Sequence, residues 1–279
     1  MGTRVPFYKS NRFVTLVWAL AVALAWEAAA FVIADVLQDK MAGSKLPYLH
    51  SVLATIGGNA GLLSTAALTT LSRAVLGFVA GAAVGFALAV FMSLFRAIEK
   101  IAYPYLLLSQ MIPILGLAPV VISIVHKVKI GSVTIAASDI TRVVIAAYIT
   151  FFPVATNMLA GLKAVDGEKR NLMFTYAANT PVRYLKLMIP FSVPFLFSGL
   201  KIAAPLAVTA SILVDSLGAA GGIGYNLTYS LYTGAYPIFW ASVLCSAAMG
   251  ILGYYSMVIL EAACMPWKAA SAKNGRNAK

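Results

Sequence analysis

The chain has 279 residues, of which 61% are hydrophobic and only 11% are charged, and its mean hydropathy is +0.87. Soluble domains carry roughly 25% charged residues, so this composition excludes an ordinary water-soluble domain and indicates repeated crossing of a bilayer. The formal net charge is +12, but the basic residues are scattered singly and are not interleaved with aromatic residues, which argues against a nucleic-acid partner.

Apolar windows of about 19 residues predict six transmembrane helices. The first follows a basic N-terminus, as in a signal peptide, but it is long enough to span, which favours an uncleaved helix. The second is too long for one perpendicular span, which indicates an interfacial lead-in or a strong tilt. The windows are 13–33, 65–95, 103–125, 142–162, 190–215 and 237–262.

Glycines repeat at four-residue spacing in the second window, at Gly77, Gly81 and Gly85. Lipid supplies no hydrophobic drive for helix association, so helices in a bilayer associate by close packing, which small residues permit. We therefore predict that another helix packs against this stripe.

Three prolines, Pro104, Pro113 and Pro119, fall in the third window. Each removes a backbone donor and favours a kink. A kinked helix suits a pathway that opens and closes, and it also suits ordinary packing.

Lysine and arginine concentrate in the N-terminal tail 1–12, the turn 96–100, the segment 161–190 and the C-terminal tail 268–279. Six spans place all four on one side, which the positive-inside tendency assigns to the cytoplasm. We therefore predict two cytoplasmic tails around a transmembrane domain over 13–267, with both termini inside. The opposite side receives fewer basic residues, Arg142 among them, and they are partly balanced by acidic residues such as Asp139.

The segment 161–190 reads GLKAVDGEKRNLMFTYAANTPVRYLKLMIP and separates the fourth and fifth windows. It is too long for a turn, and its composition predicts amphipathic helix that offers an apolar face to a partner. The alternative is an amphipathic loop that lies on lipid headgroups.

This segment resembles the coupling loop of the permeases of ABC importers, in the branch that handles nitrate, sulfonates, taurine and vitamin precursors. The match needs no gap and comprises Gly161, Leu162, Val165, Asp166, Lys186, Ile189 and Pro190. The departures lie inside the segment: Asn171 replaces a glutamate, Leu172 and Met173 replace two small residues, and Ala177 replaces a glycine.

The resemblance covers roughly 16–267. Its further matches are Trp26 and Glu27 in the first helix, Arg73, Leu76, Gly77 and Phe78 in the second, Pro194, Gly199, Leu200 and Lys201 in the fifth, and the turn 222–225. The stretch 126–137 has no counterpart and reads as an external insertion. Its alternating Val, Lys, Ile and Thr predict a short hairpin about Gly131, which either contacts a solute-binding partner or is a passive loop.

The resemblance implies an all-α membrane protein with a type I (MetI-like) permease fold in a bacterial inner membrane. It also implies a separate ATPase that uses the ATP, a second permease copy, most simply an identical one, an external solute-binding protein and a small solute. The chain itself is expected to bind no cofactor or metal. The coupling residues implied are Asp166, Asn171, Thr175, Ala177, Ala178, Ile189 and Pro190.

Charged residues within apolar windows are functional candidates because burying them in lipid is costly. Glu27 is expected to pair with Arg73 or another cation, and Lys201 to snorkel or to pair across helices. Glu261 is expected to be interfacial and without a role. Asp215 either faces the pore mouth or caps the glycine-rich turn that follows it. The candidate translocation-path residues are Gln110, Asn157, Thr209, Ser211 and Asp215.

The sequence lacks a G-x-x-x-x-G-K-[ST] loop, a G-x-S-x-G elbow and any clustered Cys/His pair, so we predict no enzymatic activity. The main alternative is a secondary transporter driven by an ion gradient, with Glu27 and Asp215 as ion sites. A noncatalytic membrane scaffold is the third reading.

Overall fold

The computed structural model describes residues 11–130, 133–218 and 221–266. The predicted tails 1–12 and 268–279 and the hairpin apex at Gly131 therefore lie wholly or largely outside the described residues. Within them the chain is helical except for one short pair of strands and the connecting loops.

Twelve α-helices and two strands are described. They are α1 Asn11–Phe31, continued by a π-helical turn Val32–Val36, α2 Ala42–Lys45, α3 Leu49–Gly58, α4 Ala60–Leu94, α5 Arg96–Ser109, α6 Ile114–Ile124, β1 Val128–Ile130, β2 Val133–Ile135, α7 Ala137–Lys163, α8 Gly167–Thr175, α9 Thr180–Arg183, a π-helical turn Tyr184–Met188, α10 Ile189–Ser216, α11 Ile223–Tyr232 and α12 Tyr236–Cys264.

Five continuous helical stretches are long and apolar enough to cross a membrane, and the bent pair α5–α6 makes a sixth if it counts as one span. A helix satisfies its own backbone hydrogen bonds, which is why helices are the form in which such windows cross lipid. The prediction of an all-α protein with about six spans is confirmed, and each span overlaps its predicted window, although the second to fifth spans begin five to ten residues earlier than predicted.

The second span begins five residues earlier than predicted, and α4 has 35 residues. Its length is about 52 Å at the rise of an α-helix, against a hydrocarbon core of about 30 Å. The polar start remains helical because its hydroxyls bond to carbonyls of the preceding turn, as Thr69 does to Thr65 and Thr70 to Ala66.

The third span is broken, as its prolines predicted. Helices α5 and α6 meet at 98°, and Pro113, with an extended ψ of 124°, stands immediately before α6. Proline disfavours helical geometry in the residue before it, which locates the break. The side chain of Tyr148 on α7 donates to the carbonyl of Ser109 at the end of α5, so this carbonyl has a partner despite the break.

The predicted hairpin in the insertion is confirmed. Strands β1 and β2 pair antiparallel, with Val128 opposite Ile135 and Ile130 opposite Val133. The hairpin directly precedes α7, at the end of that helix remote from the segment 161–190.

The chain divides into two compact units. The first comprises the described parts of Met1–Ser64 together with Asn226–Leu244. Two tryptophans organise it: Trp26 donates to the carbonyl of Pro47 at 2.9 Å, Trp240 donates to that of Ser44 at 3.2 Å, and the two rings meet edge to face at 5.4 Å. In the loop after α1, a hydrogen bond from Lys45 holds the pKa of Asp39 below its usual value.

The second unit comprises Thr65–Tyr225 with the described part of Cys245–Lys279, and α7 lies at its core. A Cβ placed on Gly77, Gly81 or Gly85 of α4 would come within 2.4–2.6 Å of atoms of α7. On α10, a Cβ at Gly199 would come within 2.7 Å of the Pro153 carbonyl. The predicted packing of a helix against the glycine stripe is therefore confirmed, and α7 is the helix that packs there.

We predict that Gly81→Ala destabilises the chain, because the new methyl group would meet the backbone of Ala147 at 2.4 Å. Overpacking of this kind costs about 1–3 kcal/mol. The matched control is Gly250→Ala in α12, where a Cβ meets nothing within 4 Å. Thermal unfolding midpoints of the purified chain in detergent test this, and equal midpoints for the two variants would contradict the packing argument.

Candidate coupling segment and buried charges

The two ends of the segment 161–190 are held together by close helix packing. Gly161 lies in the last turns of α7, and a Cβ there would come within 2.8 Å of Phe195 and 3.0 Å of Ser192, both on α10. Leu162 is fully buried and Val165 is 5% exposed. Gly161, Leu162 and Val165, the first matched residues of the motif, are thus packed in the interior, and the exposed part of the segment follows them.

Helix α8 is fixed at its beginning by two side chains. Asp166 is its N-cap and accepts a hydrogen bond from the amide of Glu168 at 3.2 Å, as N-cap aspartates do. Arg170 reaches back and donates from Nη2 to the carbonyls of Leu162 and Lys163 at 3.1 and 3.4 Å. These carbonyls at the end of α7 are among those that a helix leaves unpaired, so Arg170 ties the two helices together.

Helix α8 ends in a Schellman motif. Ala177 has a φ of +50°, its amide donates to Phe174, and the amide of Ala178 donates to Met173. This is the hydrogen-bond pattern in which glycine commonly takes the left-handed position. The departure noted in the sequence, alanine in place of glycine, therefore falls on the one residue of the segment with left-handed geometry.

The second half of the segment returns directly into the fifth span. Asn179 caps α9 by accepting from the amide of Val182 at 3.0 Å, and Ile189 and Pro190 begin α10. Tyr184 exchanges a 2.8 Å hydrogen bond with Ser93 at the end of α4. The segment is thus attached to a neighbouring span as well as to its own.

Most of the predicted coupling residues are accessible. Asn171, Thr175 and Ala177 are exposed, whereas Ala178 and Ile189 are half-buried. Beside them, three large apolar side chains project from α8 and its C-terminus: Leu172, Phe174 and Tyr176 are 55%, 59% and 75% exposed. The segment therefore exposes apolar side chains, and hydrogen bonds and close packing hold the helix on which they lie.

Asp215 is fully buried and forms the centre of an ion-pair network. Arg142, which is 1% exposed, donates to it from Nε at 2.5 Å, and Thr70 of α4 donates at 2.6 Å. The amide of Gly224 also donates to it, and Thr70 accepts from the amide of Ile223 at 3.0 Å. The network thereby holds α4, α7, α10 and the start of α11 together.

Arg142 extends the network to the surface through Asp139, one turn earlier on α7, at 2.5 Å. Asp139 also accepts from Arg73 of α4 at 3.2 Å. Sequence reasoning assigned Arg142 and Asp139 only to a loop side and missed their structural role. Their three-residue spacing at the edge of an apolar window was the signal that an intrahelical pair begins there.

The predicted translocation-path residues do not share one surface. Ser211 is fully buried and donates to the carbonyl of Thr70 at 3.1 Å, and Asp215 is enclosed in the network. Neither side chain has exposed surface in this structure, and their contact with the solute stays a prediction. For Asp215 the capping alternative is the one that fits the geometry.

The other three path residues keep accessible surface. Gln110 is exposed at the break between α5 and α6, Thr209 is exposed on α10, and Asn157 is half-buried. Thr209 and Asn157 also bond to the carbonyls of Pro205 and Pro153. Their role in solute contact stays a prediction.

Glu27 was expected to pair with Arg73 or another cation, and its partner in the structure is His50 rather than Arg73. Glu27 accepts from both the backbone amide and the ring Nδ1 of His50, each at 3.0 Å, and Arg73 pairs with Asp139. With Glu27 bonded to His50 and Asp215 enclosed, the two carboxylates that the secondary-transporter alternative needs as ion sites are both used in holding the fold.

Lys201 was expected either to snorkel or to pair across helices, and the structure shows the pair. Its ammonium lies 2.7 Å from Glu261 on α12. The expectation that Glu261 has no role is therefore wrong, because it neutralises a charge inside the fifth span. An isolated charge at that depth would be costly.

We predict that Ala177→Gly stabilises the chain by roughly 0.5–1 kcal/mol, because it relieves the left-handed strain of alanine at the cost of some unfolded-state entropy. The control is Ala178→Gly, which lacks that strain and should destabilise by about 0.4–1 kcal/mol. Denaturant titration in detergent measures both, and a loss of stability in Ala177→Gly would contradict the assigned C-cap.

For the buried pair we predict that Arg142→Met costs about 3–5 kcal/mol, because it leaves the charge of Asp215 unpaired in the interior. Asp215→Leu should cost less, because Arg142 keeps its ion pair with Asp139. The double variant should cost less than the two single losses together, by about 0.5–3 kcal/mol. Asp39→Asn, in the exposed pair with Lys45, is the control and should leave stability unchanged. Strict additivity in the double-mutant cycle would show that the pair is not coupled.

Comparison with known proteins identifies the chain. The model of the family described as "binding-protein-dependent transport system inner membrane component" matches residues 74–264. The formylaminopyrimidine transport permease protein of Halalkalibacterium halodurans is 29% identical over 80% of this chain and 87% of its own. The riboflavin transport system permease protein of Chloroflexus aurantiacus is 26% identical, over 76% and 75%.

More distant relatives include the nitrate import permease protein of Synechococcus elongatus, 24% identical over 66% of this chain and 63% of its own. Among solved structures, the crystal structure of an amino acid ABC transporter with histidines matches with a TM-score of 0.54 at 15% identity, over 75% of this chain and 95% of the other, which supports the fold. The family match covers more than half of the chain, so the protein belongs to the binding-protein-dependent transport system inner membrane components, the multi-pass permease subunits of ABC importers.

Proposed function

We propose that this permease subunit forms, with a second copy of itself, the translocation path for a small solute, and that a separate ATPase drives it by binding the segment 161–190. On this proposal an external solute-binding protein delivers the solute. The chain itself binds no cofactor, and the partner ATPase uses the ATP.

The proposal rests on how α8 is attached to the neighbouring helix. Its exposed apolar side chains lie on a helix that Asp166 caps, that Arg170 bonds to the end of α7 and that ends in a Schellman motif. Leu172 and Tyr176, four residues apart, lie on the same face, and an exposed apolar face fits insertion into a groove of a partner protein. A loop that only lies on lipid headgroups needs no such attachment.

The basic residues support an orientation in which α8 faces the cytoplasm and both termini lie inside. The β1–β2 hairpin, at the other end of α7, then faces the external side, where a solute-binding protein would dock. Gln110, Asn157 and Thr209 are the residues we propose as solute contacts.

The solute we propose is small and of the sulfonate, nitrate, taurine or vitamin-precursor type. The names of relatives support this range, since they include permeases for formylaminopyrimidine, riboflavin and nitrate. These solutes differ in charge and shape, so the permease family alone does not select one of them.

The test is recovery of the ATPase with the tagged chain from detergent extracts. We predict that the double variant Leu172→Ser/Tyr176→Ser loses most of the ATPase, because truncating buried interface side chains typically costs 1–4 kcal/mol and a loss of about 1.4 kcal/mol lowers affinity tenfold. Replacement of 171–178 by a Gly/Ser linker should abolish recovery.

The matched control is Val128→Ser, which removes an exposed apolar side chain from the hairpin at the other end of α7. It should recover as much ATPase as the unaltered chain. A folded unaltered chain that recovers no ATPase, or equal losses in Val128→Ser and the α8 variants, would contradict the proposed coupling role.

A further inference from the structure

A pocket of about 360 Å³ opens beside α8, and three arginines line it. Arg96 comes from the start of α5, Arg170 from α8 and Arg183 from α9. The nine carboxylate side chains of the chain lie within the described residues, and none of them forms an ion pair with these arginines. Arginine does not lose its proton in proteins, so the pocket carries three uncompensated positive charges.

Two of the guanidinium groups, those of Arg170 and Arg183, are each held by hydrogen bonds from one nitrogen, Nη2. Arg170 donates from Nη2 to the end of α7, and Arg183 donates from Nη2 to Thr180 at 2.9 Å and stacks 4.3 Å from the ring centroid of Phe174. The Nε atoms of both are shielded, and neither has a hydrogen-bond partner among the described residues. Shielded donors without an acceptor are costly, and an anionic oxygen is the acceptor that they bind most strongly.

The position of the pocket indicates where that anion comes from. It lies where α4 ends and the Thr180–Ser216 span begins, and the ends of apolar spans are where a membrane–water interface is expected. Apolar side chains complete the lining, among them Leu94, Leu187 and Met188. Cationic groups beside apolar ones suit a phosphate that is joined to acyl chains, and basic pockets between transmembrane helices bind such headgroups.

We propose that Arg96, Arg170 and Arg183 form a binding site for the phosphate group of an anionic glycerophospholipid. A bound headgroup would pair with three elements at once, namely the start of α5, helix α8 and helix α9. It would therefore stabilise the position of the segment 161–190 against the end of α4. This inference does not rest on ATPase binding, since the lipid is expected to bind the isolated permease.

The test uses the purified full chain in neutral detergent, titrated with phosphatidylglycerol, with bound lipid counted by native mass spectrometry and the thermal midpoint followed in parallel. The variant is Arg96→Gln, because Arg96 is exposed and has no bonded partner among the described side chains, so its loss should not affect folding. Removing one charge-assisted contact should weaken phosphatidylglycerol binding about tenfold. Arg96→Lys should retain part of the binding.

The matched control is Lys186→Gln, which removes one positive charge from the same segment outside the pocket and should leave binding unchanged. Phosphatidylcholine should bind more weakly than phosphatidylglycerol, and inorganic phosphate alone should not raise the thermal midpoint as much as phosphatidylglycerol does.

Equal binding of the two lipids, or equal losses of binding in Arg96→Gln and Lys186→Gln, would overturn the site. Protection by inorganic phosphate as strong as that by the lipid would replace the lipid with a free anion. If the chain holds no lipid but Arg96→Gln reduces ATPase recovery, the occupant is a carboxylate of the ATPase, and the lipid proposal fails.

Discussion

The rest of the second unit depends on how closely α4 and α10 approach α7. Helices in a bilayer gain nothing from hiding apolar surface from lipid, so packing contacts and interhelical hydrogen bonds must hold them. Glycines make this contact possible on both sides of α7: Gly81 admits the backbone of Ala147, and Gly199 admits that of Pro153. With backbones this close, no flexible side chain lies between the helices to absorb a relative shift.

The two ends of α7 are secured by different chemistry. At its start, Arg142 bonds both Asp139 and the buried Asp215, which closes α4, α7 and α10 around one ion-pair network. At its end, Gly161 packs against α10 and Arg170 bonds the last carbonyls. A buried ion pair is weak evidence for stability, because desolvation offsets most of its attraction. Its carboxylate accepts from donors on three other elements, so separating any of these elements from α10 would leave a buried polar group without its partner.

Much of the fold could be predicted from the sequence because the signals are local. An apolar window is a property of consecutive residues, and the break at Pro113 and the hairpin at 128–135 follow from neighbouring side chains. The ion-pair network could not be predicted in the same way, because its partners are distant: Arg142 and Thr70 lie 73 and 145 residues from Asp215. The partner of Glu27 was left open between Arg73 and another cation for the same reason, since charge alone does not select a partner. The segment 161–190 was located by its motif, but its accessible apolar face and its anchoring required three-dimensional placement.

The same contacts limit how a force applied to α8 is passed on. Packed interfaces shift between discrete arrangements more readily than they deform. Arg170 joins α8 to the end of α7, and α7 packs closely on α10. Movement of the segment is therefore expected to carry α7 and α10 together as one body. The break between α5 and α6 differs, because its attachment to α7 includes one side-chain hydrogen bond, from Tyr148 to Ser109, and a kinked proline segment changes its angle at lower cost than a glycine-packed pair. Gln110 stands at that break, so one of the exposed residues proposed as solute contacts lies at the junction between α5 and α6.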